Sequence, residues 1–199
     1  MARRFDISDE LIHFTGGGGE CMDDAFVSLR AIVRERRLIA SSRKIRGGYR
    51  CVSFTDAPIA AFGPPWASQF PFTRYSQFGM VFDKNWIYER GGKPVIHQPD
   101  SDFHLLPEDL RWRHVRHEPT GEHVVDWTWE REWRVLCEEL AFTPAEAVIV
   151  VPNEQWANKL RRVHDDSQEM IVELYAGAID REIAEMWREK FPWRVFSLG

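Results

Sequence analysis

The chain has 199 residues, 44% of them hydrophobic and 29% charged, the balance of an ordinary globular domain and not of a disordered or fibrous chain. No run reaches the roughly 18 apolar residues of a membrane span, and the opening MARRFDISDE lacks the apolar stretch of a secretory leader. Cys21, Cys51 and Cys137 are too few and too scattered for a disulfide framework or a zinc cluster, so the expectation is one domain over 1–199, cytoplasmic, with reduced thiols and no membrane partner.

Charge is uneven. The net value is −5, yet residues 30–50 hold eight cations (Arg30, Arg34, Arg36, Arg37, Arg43, Lys44, Arg46 and Arg50) against Glu35, a local +7 that leaves −12 elsewhere. Such a distribution excludes nucleic-acid binding over the whole surface but leaves a local patch able to meet phosphates. A solvated helix end is the simpler alternative.

In chain order, Glu10 to Thr15 reads as a strand, and the run Gly16 to Gly19 as a loop. Asp23 and Asp24 open an amphipathic helix with Phe26, Leu29 and Val33 at helical spacing and Arg34, Arg36 and Arg37 at its end. After a Gly47-Gly48 turn, Arg50 to Phe54 reads as a strand that stops at Thr55-Asp56-Ala57-Pro58. Three prolines make Ala60–Pro71 an irregular loop. Phe78 to Phe82 and Lys93 to His97 follow as strands, and Pro107 with Glu108 and Asp109 marks a short helix ending before Pro119.

Trp127 to Leu136 alternates, with Trp127, Trp129, Arg131, Trp133 and Val135 on one face and Glu130, Glu132 and Arg134 on the other. The aromatic and β-branched face predicts a strand, although Glu and Arg also suit a helix. Ala147–Val151 has the length of a buried strand, and helices follow from Asn153 to about Val163, around Ser167–Tyr175 and over Asp180–Lys190. A last strand covers Trp193–Phe196. Without a βαβ rhythm, this mixture predicts an α+β fold with a largely antiparallel sheet.

Three groups carry chemistry. His13 and Thr15, two apart on a strand, share a face and can hydrogen-bond one ligand; a satisfied core histidine is the plainer reading of His13. Cys51, Ser53 and Thr55 share one face of the next strand, either the floor of a cleft or an ordinary half-exposed surface. Glu130 and Glu132 on one strand face would stand roughly 7 Å apart. Paired carboxylates at that distance suit a sugar hydroxyl and the cation that develops when a glycosidic bond breaks, or else form a surface ladder neutralised by Arg134.

Taken together, His-x-Thr on the first strand, the helix that follows, Ser53-Phe54-Thr55-Asp56-Ala57-Pro58, Tyr75-x-x-Phe-Gly-x-Val-Phe and Glu130-x-Glu132-Trp-Arg-Val resemble the ADP-ribosyltransferase superfamily. Within it, the pattern, over roughly residues 10–136, is similar to bacterial defence-associated proteins of the DarT-like and AbiGi-like kind. The resemblance implies an ADP-ribosyltransferase-like split sheet and NAD as substrate. It implies that His13 and Thr15 bind NAD, that Ser53 and Thr55 line the floor, and that Tyr75, with Phe54 next, stacks on nicotinamide. Glu132 would be catalytic, Glu130 would orient the acceptor, and Arg46 with Arg43 and Lys44 would meet the pyrophosphate or a nucleic-acid acceptor. Asp56 stands where such proteins carry the second serine of Ser-Thr-Ser. The implied role is a toxin or anti-phage, abortive-infection effector that modifies nucleic acid or protein and answers to a cognate antitoxin or regulator.

Three other readings compete. The His97, His104, His114, His117 and His123 stretch suggests a metal, but neither His-Glu-x-x-His nor His-x-x-Glu-His is present. Asp126, Glu130 and Glu132 would suit a metal-dependent nuclease but lack a paired lysine. A non-catalytic module of a defence system would keep the fold to recognise a nucleotide or a protein, using Trp66, Trp86 and Trp112 as contacts. A catalytic protein needs His13 and Glu132 across one cleft, and a binder does not.

Overall fold

A computed structural model describes residues 8–16, 21–58 and 76–199; Tyr75, Trp66, Gly17 to Gly19 and the whole proline-rich loop over 60–71 lie outside them. In chain order the elements are β1 (Glu10–Phe14), α1 (Met22–Glu35), β2 (Arg37–Ile39), β3 (Cys51–Thr55), β4 (Gly79–Asp83), α2 (Lys84–Glu89), β5 (Lys93–Pro94), β6 (Ile96–Gln98), β7 (His114–Arg116), β8 (Glu132–Leu136), β9 (Glu139–Ala141), β10 (Ala147–Val151), α3 (Glu154–Ala176), α4 (Arg181–Glu185) and β11 (Arg194–Ser197). Seven strands form one sheet in the order β11-β10-β4-β1-β3-β8-β5. All its pairings are antiparallel except β10 with β11, so the fold is mixed α/β with a mostly antiparallel sheet and flanking helices. Two small pairs, β2 with β9 and β6 with β7, stand apart from it.

The apolar side chains of β1, β3, β4, β8 and β10 that face one way form the main core. Leu11, Val52, Phe54, Met80, Phe82, Val135 and Ile149 meet Phe26 and Leu29 of α1, Ile87 of α2 and Leu160 of α3. On the other face Ile12, Val81 and Val150 make a smaller cluster. Gly79 lets β4 approach β1, because a Cβ there would stand 2.7 Å from the carbonyl oxygen of His13. β1 pairs with β4 over five residues. Among the described residues it pairs with β3 only through Ile12 and Thr55.

Helix α1 follows its sequence signals: Asp23 and Asp24 lie in the first turn and Arg34 in the last, and Arg36 closes it in the left-handed region at φ 53°. Other elements depart from the sequence pattern. Lys93 to His97 is not one strand but β5 and β6, with the intervening Val95 N–H turned to the Glu132 carbonyl. The turn after Pro107 is a 3₁₀ helix over Glu108–Arg113. The two helices expected after Asn153 are the single α3, which Asn153 caps by accepting from the N–H groups of Gln155 and Trp156. Conversely, the helix expected over Asp180–Lys190 is confined to α4, capped by Asp180.

The largest correction concerns Trp127–Leu136. Thr128–Glu130 forms a 3₁₀ turn, Arg131 follows in the left-handed conformation at φ 45°, and the strand starts only at Glu132. Glu130 and Glu132 therefore do not share a strand face as a carboxylate ladder.

Candidate functional site

The site is built where β3 meets β8. Register pairs Ser53 with Arg134 and Thr55 with Glu132, and partners across a ladder share a face. Ser53 Oγ donates to Glu132 Oε1 at 2.8 Å. Arg134 donates to the same carboxylate twice, from Nε to Oε1 at 2.8 Å and from Nη2 to Oε2 at 3.1 Å. Its Nη1 donates to the carbonyls of Trp112 and His114 at 2.8 and 3.0 Å. The Arg134 side chain is 5% exposed and that of Glu132 15%, so this is a buried, fork-to-fork ion pair anchored on a third segment of chain. A carboxylate offers about four lone-pair directions. Three are occupied here, which leaves Oε2 with capacity for one further donor.

Beside this pair lies a cleft of about 640 Å³ lined by Ser53, Glu130, Glu132 and Arg134 and rimmed by Arg43, Lys44, Arg46 and Arg116. Most of the basic stretch seen in the sequence is neutralised: Arg34 and Arg37 by Glu35, Arg36 by Glu189, Arg50 by Glu138 and Arg46 by Asp100. Arg46 also lies over the Phe103 ring, 4.4 Å from its centroid. Among the described residues no carboxylate pairs with Arg43 or Lys44, and both stand at the rim of the cleft.

The other expected site residues fall elsewhere. Because Ile12 pairs with Thr55 and side chains alternate along a strand, His13 points to the opposite face from Ser53, Glu132 and Arg134. Its ring lies 5.8 Å from that of Phe54, and its Nδ1 lies 2.8 Å from the Ser53 carbonyl. A carbonyl only accepts, so Nδ1 carries the proton. Phe54 is buried and meets Phe82 edge to face. Thr15 is buried with its hydroxyl on the carbonyls of Ala25 and Phe78, tying the end of β1 to α1. Thr55 is also buried and donates to the Glu130 carbonyl, which fixes the turn before β8. The structure thus unites Ser53, Glu130 and Glu132 at the cleft and leaves His13, Thr15, Phe54 and Thr55 outside its lining.

Arg134 is the residue that sequence reasoning undervalued. The sequence pattern makes it a neutralising partner on a surface ladder, whereas its side chain is buried and organises the site. The signal available was its parity with Ser53 and Glu132 on strands whose other face is wholly apolar.

The histidine stretch gathers only in part. The rings of His97 and His117 are 5.9 Å apart, and His117 Nδ1 stands 3.6 Å from Asp126. Among the described residues no group of three or more His, Cys, Asp or Glu is placed to hold a metal. Trp86 stacks on Phe82 and under Arg90, and Trp112 is buried, so both are packed and not presented as contacts. Burial pushes the Cys51 thiol up to about 11, which makes it unreactive.

Burial holds both His13 and His97 below their ordinary value of 6.5, and His117 adds to the effect on His97. Above pH 6.5 the folded and unfolded chains both carry these rings neutral. Below it the unfolded chain takes up protons that the folded chain refuses, so stability falls as pH falls and levels off below the folded-state values. Thermal unfolding between about pH 7 and 5.5 will show this decline, and His97→Gln will flatten it. An unchanged slope in that variant would rule out His97 as a source.

No protein-family model matches the chain, and neither does a curated protein or a solved structure. Among the described residues no helix is long and apolar enough to cross a membrane.

Proposed function

We propose that this chain is an NAD-consuming ADP-ribosyltransferase-like domain, acting in the cytoplasm as a toxin or anti-phage effector on a nucleic-acid or protein acceptor. The observation that carries the reading is the Ser53–Glu132 hydrogen bond, which joins the two sequence motifs at the edge of a cleft of nucleotide size with Arg43 and Lys44 at its rim. In this mechanism the two cations meet the pyrophosphate, and the open position on Glu132 Oε2 accepts a ribose hydroxyl. As the C1′–nitrogen bond breaks, its electron pair leaves with nicotinamide, and the fixed carboxylate stabilises the cation on the ribose. The acceptor oxygen or nitrogen, oriented by Glu130 at the cleft, then bonds to C1′ and releases its proton to solvent water.

A second reading is a non-catalytic nucleotide- or protein-binding module of a defence system. It is favoured by Arg134 occupying both Glu132 oxygens and by His13 facing away from the cleft. Calorimetry with NAD and a nicotinamide-release assay separate the two. The transferase reading expects release that Glu132→Gln lowers by about 10²–10³-fold while NAD affinity is kept. Binding without release, in the presence of bacterial protein and nucleic-acid fractions, selects the second reading. Absence of both binding and release overturns NAD as the ligand.

A further inference from the structure

At about 1.5 Å per residue, a helix as long as α3 extends roughly 35 Å, and only its first half reaches the sheet, through Ala157 and Leu160. Its second half packs Val172 inward and is joined by the segment around α4 through an edge-to-face contact of Tyr175 with Trp187 at 5.3 Å. The exposed side of this hairpin carries a run of large apolar side chains. Met170 and Leu174, one turn apart, are 71% and 75% exposed, and Met186 and Trp187 are 81% and 58% exposed. Ile171 and Tyr175 continue the stripe at 41% and 44%.

At roughly 200 Å² per large side chain these fractions leave roughly 700 Å² of apolar surface in water. That exceeds the roughly 300–600 Å² of the largest patch on a typical monomer and approaches the roughly 800 Å² that each partner buries in a standard interface. The neighbouring charges select no strongly charged partner. Glu169 is taken by Arg181 and Arg188, and Glu185 by Arg188, so these ions close within the hairpin. An apolar surface of this area matches what one subunit of a two-fold dimer presents to its own copy.

We infer that the α3–α4 hairpin is a self-association surface and that the chain forms a two-fold dimer through it. The inference does not depend on what the cleft binds. Sedimentation equilibrium of the full chain from about 1 to 100 µM tests it, since association by mass action depends on concentration. The expected wild-type mass approaches twice 23.4 kDa. Leu174→Glu and, separately, Met170→Lys should shift it to one chain, with unchanged circular dichroism and melting temperature because both side chains are exposed. Val27→Glu, on an exposed position of α1, should leave the dimer intact. A wild type that stays at one chain throughout overturns the inference, including the case in which it instead binds lipid vesicles or another protein. A dimer that survives both hairpin variants overturns it equally, by placing the interface elsewhere.

Discussion

Arg134→Ala will lower the unfolding free energy by about 3–5 kcal/mol, the range for breaking a buried ion pair from one side. The loss has two sources. Glu132 keeps a carboxylate in a site where its side chain is only 15% exposed, with the Ser53 hydroxyl still donating to it. The carbonyls of Trp112 and His114 also lose the Nη1 donor that fastens the 3₁₀ segment and β7 to the sheet. Lysine will not restore the fold, because a single ammonium cannot span both carboxylate oxygens and two carbonyls. Arg134→Met combined with Glu132→Gln removes both charges and should recover most of the deficit. Urea unfolding of the three variants gives these values. A single-mutant loss below about 1 kcal/mol would show that the pair is wetter than its geometry indicates.

The second large effect is expected at Phe78. The ring is fully buried, 5.7 Å from Phe26 on α1 and 5.0 Å from Trp156 on α3, so it joins both helices to the sheet just before β4 begins. Phe78→Ala should cost about 3–5 kcal/mol, because its two aromatic neighbours, each held on a helix, cannot collapse into the space. Phe78→Leu keeps most of the volume and should cost less than half as much. Its backbone carbonyl, which accepts from the Thr15 N–H at 2.8 Å, is untouched by either change. Equal losses for both variants would point to the ring contacts instead of the cavity.

Much of the framework was legible because it depends on local signals. The acids and arginines at the ends of α1, the Asn153 cap and the apolar run of β10 act within one turn or one strand. The Trp127–Leu136 error has a local cause too: alternation continues through a 3₁₀ turn, and only the positive φ of Arg131 breaks the strand, a state that an arginine does not advertise. α3 runs unbroken through the expected gap, and within it Ser167 satisfies its hydroxyl on the Val163 carbonyl four residues back.

The site was legible only as far as single strands allow. The parity of each strand places Ser53 and Glu132 each on the polar face of its own strand, but their meeting depends on the pairing of β3 with β8. The separation of His13 from Glu132 depends on the register between β1 and β3, residues some forty positions apart, and a one-residue slip reverses it. The basic stretch misled for a similar reason. Its acidic partners Glu138, Glu139 and Glu189 come from distant chain, and their closing onto Arg50, Arg37 and Arg36 cannot be read from residues 30–50.

Among the described residues the one Ile12–Thr55 rung divides the backbone ladder of the sheet into two leaves. One leaf, β1 with β4, β10 and β11, carries the helices and most of the aromatic core. The other, β3 with β8 and β5, carries Ser53, Glu132, Arg134 and the cleft. An imidazole stands in for the missing ladder, because His13 donates to the Ser53 carbonyl where a backbone N–H would otherwise serve. The leaves are otherwise joined through side chains, Phe54 of β3 against Phe82 of β4 and Asp56 after β3 with Lys84 after β4, so a change in their tilt works against packing and an ion pair more than against backbone rungs. The cleft is mounted on the lighter of two leaves bolted together by side chains.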